Sequence, residues 1–155
     1  MSEATKISEH FYLEELVYPQ IFDDMFTSSI WYLDMQIVRG LEVIRTHFGN
    51  KPIRVNDWSS GGPFKYRGLR PLTEPGDWAP LKWSKRSQHI FGRAVDFNVY
   101  GLLDSEVQEE LLKNWLKFAP YFSTMEKGTV GWTHLDRRWL PENIRKLDRP
   151  FLVTP

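Results

Sequence analysis

The sequence predicts a single α+β domain spanning residues 1–155, with a small antiparallel sheet and helices packed on one side of it. At 155 residues the chain has the length of one domain with one hydrophobic core. Apolar residues recur at three- and four-residue steps before Gly49, which predicts a long helix. Residues 95–99 alternate apolar and polar side chains, which predicts a strand, and Trp132, His134 and Asp136 are expected to share one face of a second short strand. This mixture of helices and strands favours the α+β class.

The first half of the chain is expected to begin with a docking segment over residues 7–17 that contains one short helix. The long helix is predicted to start after an N-cap at Ser28–Ser29, to run from Ile30 to Phe48, and to stop at Gly49. Gly40, inside that helix, predicts close packing against a neighbour. Residues 52–58 then predict a strand leaving the helix.

Residues 71–86 are loop-like and run directly into Ser87, so we interpret them as one wall of a substrate cleft. Asp104–Ser105 can cap a second amphipathic helix that ends before Pro120. Residues 121–126 predict a strand and residues 127–131 a turn. The tail after Arg137 is expected to wrap the surface with at most one short helix near residues 142–147.

Composition excludes several classes of protein. Twenty basic residues balance 20 acidic ones, which argues against capture of nucleic acid or a charged membrane surface. The chain has no cysteine, so disulfides and thiolate metal sites are excluded. No run approaches the roughly 20 apolar residues that span a bilayer, so membrane insertion is not expected. Residues 1–15 are polar and acidic and lack the apolar stretch of a signal peptide.

Three residues form a candidate metal site: His89, Asp96 and His134. Imidazole nitrogen and carboxylate oxygen are ligands of catalytic zinc, which usually has three protein ligands and one open position. Asp96 lies in the first predicted strand, on the face opposite its apolar residues, and His134 lies in the second. Two adjacent strands would bring the ligands together. From spacing alone, an ordinary hydrogen-bonded histidine and a capping aspartate are equally compatible with the pattern.

The pattern Ser87-x-His89-x-x-Gly92-x-Ala94-x-Asp96, followed by Trp132-x-His134, resembles the signature of the zinc D-Ala-D-Ala metallopeptidases. That family shares its fold with hedgehog signalling domains, and the chain is most similar to its small phage and prophage members. The resemblance implies a Zn²⁺ ion held by His89, Asp96 and His134. It also implies hydrolysis of an amide bond in the peptidoglycan stem peptide, by carboxypeptidase or endopeptidase action.

Many members of that family place an acidic catalytic base three positions before the last histidine ligand, where this chain has Gly131. Other members place a glutamate further upstream, across a strand turn. Glu126 is the only acidic residue between Glu110 and Asp136, so it is the first candidate for the base. Asp136 shares a face with His134 and is expected to orient an imidazole, with the role of base as its second possibility.

The family also commonly has an arginine after the strand that precedes the signature, and this arginine binds substrate and polarises the scissile carbonyl. Here Ser59–Ser60 occupies that place, so Arg67 or Arg70 is the expected substitute. The alternative for either arginine is surface solvation or an ion pair with Glu74 or Asp77.

The expected protein is therefore a phage or prophage lytic enzyme whose partner is a peptidoglycan peptide. It would be made in the host cytoplasm and would act in the cell wall, or it would be carried in a particle with phage structural proteins. One alternative is a catalytically silent zinc-binding module of a phage particle with the same fold. Another is a plain globular domain in which the three polar residues are structural.

Overall fold

The computed structural model describes residues 4–73 and 86–155. Within these residues, the chain has four α-helices: α1 (Pro19–Met25), α2 (Met35–His47), α3 (Asp104–Lys113) and α4 (Trp115–Phe118). Five strands are β1 (Ile53–Arg54), β2 (Ala94–Val99), β3 (Thr124–Glu126), β4 (Thr133–Asp136) and β5 (Phe151–Val153). Short 3-10 helices are formed by Leu13–Glu15, Phe26–Tyr32 and Trp58–Ser60.

The strands form one sheet in the order β1-β2-β4-β3-β5. β1 pairs with β2, β2 with β4 and β4 with β3, all antiparallel. β5 pairs with β3 in the parallel direction and forms an edge of the sheet. The predicted α+β class is confirmed, and the antiparallel arrangement holds for the first four strands. The parallel edge strand was not predicted.

The two faces of the sheet differ in chemistry because alternate residues of a strand point to opposite sides. Val95, Phe97 and Val99 of β2 are buried in the main hydrophobic cluster. That cluster also contains apolar residues of the helices α2, α3 and α4, including Leu41, Leu111 and Phe118. The opposite face of the central strands therefore carries the polar residues, and these are the candidate site residues.

The long helix begins later than the sequence predicts. Asp34, not Ser28 or Ser29, is the N-cap of α2, and its Oδ1 accepts a hydrogen bond from the backbone N–H of Gln36 at 3.0 Å. The chain is extended at Leu33, which separates α2 from the preceding 3-10 helix. Apolar spacing continues across this break because Ile30 and Leu33 pack against a second, smaller cluster around Leu13. The predicted C-terminal stop is confirmed, since Gly49 has a φ of +69°.

Other elements show where local pattern and structure agree or differ. A Cβ atom at Gly40 would lie 2.4 Å from the Phe122 ring, which confirms the predicted close packing. The predicted strand at residues 52–58 is reduced to Ile53–Arg54, and residues 142–147, where at most one short helix was expected, form no helix. α1 was not predicted. Most of the predicted cleft wall, including Glu74 and Asp77, falls in residues 74–85 and lies outside the described residues.

Among the residues that the structure describes, none of the helices has the length and apolar character required to cross a membrane.

Candidate metal centre

The loop that carries His89 is fixed by a tight turn ending at Gly92. Gly92 has a φ of +64°, and a Cβ atom there would lie 1.9 Å from the carbonyl oxygen of Tyr32. Only glycine fits this position, because the backbone is left-handed and the neighbouring chain is too close. The Gly92 carbonyl accepts a hydrogen bond from the N–H of Asp34, and the His89 carbonyl accepts one from Arg70. These contacts hold His89 over the polar face of the sheet.

The other two candidate ligands are brought together by strand register. β2 and β4 pair so that Asp96 lies directly opposite His134. Side chains of directly opposed residues on neighbouring strands point to the same side of the sheet. The local alternation that buries Val95 and Phe97 on one side therefore delivers Asp96 to the other side, next to His134.

The structure places the three predicted ligands at one point. His134 Nδ1 lies 2.7 Å from Asp96 Oδ1, and His89 Nε2 lies 3.3 Å from the same oxygen. The two imidazole nitrogens, His89 Nε2 and His134 Nδ1, are 3.2 Å apart. All three side chains are buried. This cluster could hold a metal ion.

Each histidine has its second ring nitrogen occupied on the side away from the cluster. His89 Nδ1 lies 2.7 Å from the carbonyl oxygen of Gly68, to which it can donate its proton. His134 Nε2 lies 3.2 Å from Asp136 Oδ2. Partners of this kind fix the ring orientation and leave the inward nitrogen free to bind a metal. Gly68 acts through its backbone, so its role could not be seen in the sequence.

Asp136 is itself held in place by Arg138. The Arg138 Nε–H donates to Asp136 Oδ1 at 2.9 Å, and its backbone N–H donates to the same oxygen at 3.0 Å. Asp136 is fully buried, so it is placed to orient His134 rather than to meet a substrate. Arg138 was missed in the sequence, although its position two residues after Asp136 and four after His134 continues the alternation of polar residues.

The two candidate arginines have different surroundings. Arg70 donates from Nη2 to Asp96 Oδ2 at 2.6 Å and from Nε to the Tyr66 carbonyl at 2.6 Å. It thus binds the carboxylate oxygen that lies away from the imidazoles, and it lines the cavity in front of the cluster. Arg67 packs its guanidinium on the Phe64 ring, 3.5 Å from the ring centroid, and hydrogen-bonds to Asn98. Arg70 therefore lines the cavity, and Arg67 does not.

The cluster opens into a cavity of about 500 Å³. Glu126 and Trp132 line it together with the ligands, and so do Thr154 and Pro155. Within residues 4–73 and 86–155, no hydrogen bond or ion pair engages the Glu126 carboxylate. Register explains its position: Thr124 pairs with Asp136, so Glu126, two residues further, comes level with His134 on the same face.

Gly131, at the position where many members of the resembling family have an acid, has a φ of +97°. A residue with a side chain is strained in this backbone conformation. The Gly131 carbonyl accepts a hydrogen bond from the Asn98 side chain at 2.9 Å, which ties this turn to β2. The turn geometry thus disfavours an acidic residue at position 131, and Glu126 is the acidic side chain that reaches the cavity instead.

Burial and mutual charge set the protonation of the cluster in the metal-free chain. Burial lowers the pKa of His89 to about 4. Burial also opposes the charged form of His134, but hydrogen bonds to Asp136 and Asp96 outweigh it and raise the pKa of His134 to about 9. Burial raises the pKa of Glu126, and the nearby His134 opposes this effect. At neutral pH, His134 is therefore protonated on both ring nitrogens in the metal-free chain, whereas His89 is neutral.

These pKa values predict that the metal-free chain loses stability as the pH rises from about 7.5 to about 9. The pKa of His134 is raised in the folded state, so its contribution is complete below the unfolded value of 6.5 and disappears as the pH passes about 9. Unfolded His89 still binds protons near pH 6.5, whereas its folded pKa is about 4, so His89 offsets the loss until the pH exceeds about 7.5. The contribution is at most about 3 kcal/mol. Urea unfolding at several pH values in the presence of a chelator measures it. An unfolding free energy that stays constant over this range would contradict the assignment.

The chain matches no protein-family model, no curated protein and no solved structure in comparisons with known proteins.

Proposed function

We propose that the chain is a zinc-dependent peptidase that hydrolyses an amide bond in the stem peptide of peptidoglycan. The observation that carries the proposal is the convergence of His89 Nε2, His134 Nδ1 and Asp96 Oδ1 in one cavity with the unpaired carboxylate of Glu126. The substrate class rests on the resemblance of the sequence pattern to zinc D-Ala-D-Ala metallopeptidases. We further propose that it serves as a phage or prophage lytic protein.

The donor set fits zinc. Two imidazole nitrogens and one carboxylate oxygen, with a fourth direction open, are typical of catalytic zinc. Ligands about 2.0–2.1 Å from a tetrahedral zinc are about 3.3–3.4 Å from one another. The distances of His89 Nε2 to His134 Nδ1 (3.2 Å) and to Asp96 Oδ1 (3.3 Å) match this spacing. The shorter contact of 2.7 Å between His134 and Asp96 is the hydrogen bond of the protonated imidazole, which zinc would replace.

The protein residues divide the remaining work. A zinc ion at this position supplies Lewis acidity, which lowers the pKa of water and polarises a carbonyl. Glu126 is the group that accepts the proton of the attacking water, because its carboxylate is unpaired among the described residues. Burial raises its pKa toward neutral pH, which suits a general base. Asp136 keeps the Nε2 proton of His134 outside the cluster, and Arg70 holds the far oxygen of Asp96.

Arg70 also lines the cavity, so we propose that it contacts the substrate carbonyl or carboxylate. A guanidinium forms two parallel hydrogen bonds with a carboxylate, which an ammonium cannot. Arg70→Lys is expected to keep zinc at one per chain and to lower turnover by about ten-fold or more, the loss of a charged hydrogen bond. Arg67→Lys is the matched variant and is expected to keep turnover within about three-fold, since Arg67 lies outside the cavity lining. Equal losses in both variants would contradict this assignment.

Removal and return of zinc tests the proposed function. The chelator-treated chain is expected to leave purified peptidoglycan intact, and one equivalent of zinc is expected to restore digestion. Turbidity of the peptidoglycan suspension and the amino groups released measure the digestion. A chain that digests peptidoglycan equally well without metal would refute the proposal.

A second candidate function is a catalytically silent zinc-binding module of a phage particle. The observation that favours it is Gly131, which leaves the cavity without the acid that many similar peptidases have three residues before the last ligand. The two candidates differ in one result. The silent module binds one zinc per chain and releases no amino groups from peptidoglycan, whereas the peptidase does both.

A further inference from the structure

A second cavity, of about 380 Å³, lies next to the metal cleft. Its lining includes four arginines and two acids: Arg93, Arg137, Arg138, Arg145, Asp34 and Glu142. Trp139 also lines it and is 79% exposed. We call it the arginine cavity. Its volume lies in the range of small-molecule sites, and its charge favours an anion.

Two of the four arginines are held by the protein itself. Arg137 donates from Nε to Asp34 Oδ2 at 3.0 Å, and its Nη1 donates to the carbonyl oxygens of Pro120 and Tyr121. Arg138 is paired with the buried Asp136. These two guanidinium groups therefore build the wall of the cavity.

The other two arginines retain free donors. Arg93 is exposed, and no hydrogen bond or ion pair engages its guanidinium within the part of the chain that the structure describes. Arg145 makes one long hydrogen bond, 3.4 Å from Nη2 to the carbonyl oxygen of Ala119. Arg93 is fixed by its backbone, because its carbonyl accepts from the N–H of Arg137 at 2.9 Å. In this cavity, Arg137 and Arg138 are bound by other protein groups, whereas Arg93 and Arg145 have N–H donors that a ligand can use.

The arginine cavity and the metal cleft meet at Arg138, which lines both. Arg138 is four residues after the ligand His134, so their Cα atoms are separated by at most about 14 Å. An extended peptide of at most about four residues spans that distance. A substrate whose amide bond lies at the metal cluster can therefore place another group in the arginine cavity.

We propose that the arginine cavity binds a carboxylate of the same peptide whose amide bond is cut at the metal cluster, through Arg93 and Arg145. This inference rests on the proposed function for the identity of the peptide. A guanidinium binds a carboxylate with paired, charge-assisted hydrogen bonds. The cavity therefore selects stem peptides that carry a free carboxylate within about four residues of the cleaved bond over peptides in which that group is amidated.

Binding of two synthetic peptides tests the proposal: L-Ala-D-Glu-L-Lys with free carboxylates, and the same peptide with its carboxylates amidated. Isothermal titration is done on the full chain loaded with zinc and carrying Glu126→Gln, so that turnover does not interfere. We expect the free-carboxylate peptide to bind about ten-fold tighter or more. The added pair Arg93→Gln and Arg145→Gln is expected to remove most of that preference. Lys113→Gln, an exposed charge on α3 outside the cavity lining, is the matched control and is expected to retain it.

Arg93→Gln alone repeats the test with a single change, and because the Arg93 side chain is exposed, its loss is expected to leave the fold and the zinc content unchanged. The proposal is overturned if the parent shows no preference for the free carboxylate, or if the arginine variants keep the full preference. The two proposals fail separately. Carboxylate preference without digestion of peptidoglycan contradicts the peptidase, and digestion without the preference contradicts the arginine cavity alone.

Discussion

Alanine in place of His89, Asp96 or His134 is expected to abolish tight zinc binding and, with it, all hydrolysis. Within the described residues, His89, Asp96 and His134 are the three protein donors of the cluster, and all three are buried. Changing a residue that only hydrogen-bonds to a ligand already lowers metal affinity by about 10–100-fold. Loss of a ligand itself is therefore expected to lower the affinity by more than about 100-fold. The variants are also expected to lose the stabilisation by zinc, because an ion that binds only the folded state raises the unfolding free energy.

Elemental analysis after dialysis against a weak chelator measures zinc per chain. His10→Ala is the matched control for the two histidines, since His10 Nδ1 pairs with Glu42 at 2.8 Å, away from the cluster. Asp104→Asn is the control for Asp96. Asp104 is not part of the cluster, and its carboxylate accepts a hydrogen bond from the Asn98 side chain instead. One full zinc per chain in any of the three alanine variants would contradict the ligand assignment.

Glu126→Gln is expected to lower turnover by about two to four powers of ten while leaving zinc and fold in place. Loss of a general base typically lowers the rate by this factor. The amide keeps the size of the side chain but cannot accept the proton. The carboxylate has no partner among the described residues, so its removal leaves no buried group unpaired. Steady-state release of amino groups from peptidoglycan, measured beside zinc content, gives both readings.

Asp136→Asn separates the base from the group that orients the ligand. Asp136 is buried between His134 and Arg138, so the amide is expected to weaken zinc binding by about 10–100-fold. At saturating zinc its turnover is expected to fall less than that of Glu126→Gln. If Glu126→Gln were as active as the parent and Asp136→Asn inactive, the roles of the two carboxylates would be reversed.

The location of the candidate ligands could be predicted from the sequence because their placement depends on local rules. Strand alternation puts Asp96 opposite the core face of β2, and antiparallel pairing brings His134 level with it. The resemblance implies an acidic base upstream of His134, and Glu126 is the candidate because no other acidic residue lies between Glu110 and Asp136. The α+β class followed from the same alternation and from the apolar spacing of α2.

Features that depend on contacts between distant parts of the chain could not be predicted. The start of α2 is fixed by Asp34, which also binds Arg137, 103 residues away. β5 has only three residues, Phe151–Val153, which is too short for an alternating pattern, and it forms because its backbone pairs with β3. The position of Arg70 is set by the Tyr66 carbonyl and by Asp96, so spacing in the sequence could not distinguish it from Arg67.

Mass spectrometry of peptidoglycan treated with the zinc-loaded chain tests the central claim most directly. The proposed function predicts peptide fragments with one kind of newly formed amino and carboxyl terminus, which marks the amide bond that is cut. The same fragments are expected to be absent after treatment with the zinc-free chain or with His89→Ala. Peptidoglycan that remains uncut by a chain carrying one zinc at His89, Asp96 and His134 would contradict the peptidase and leave the silent zinc-binding module in its place.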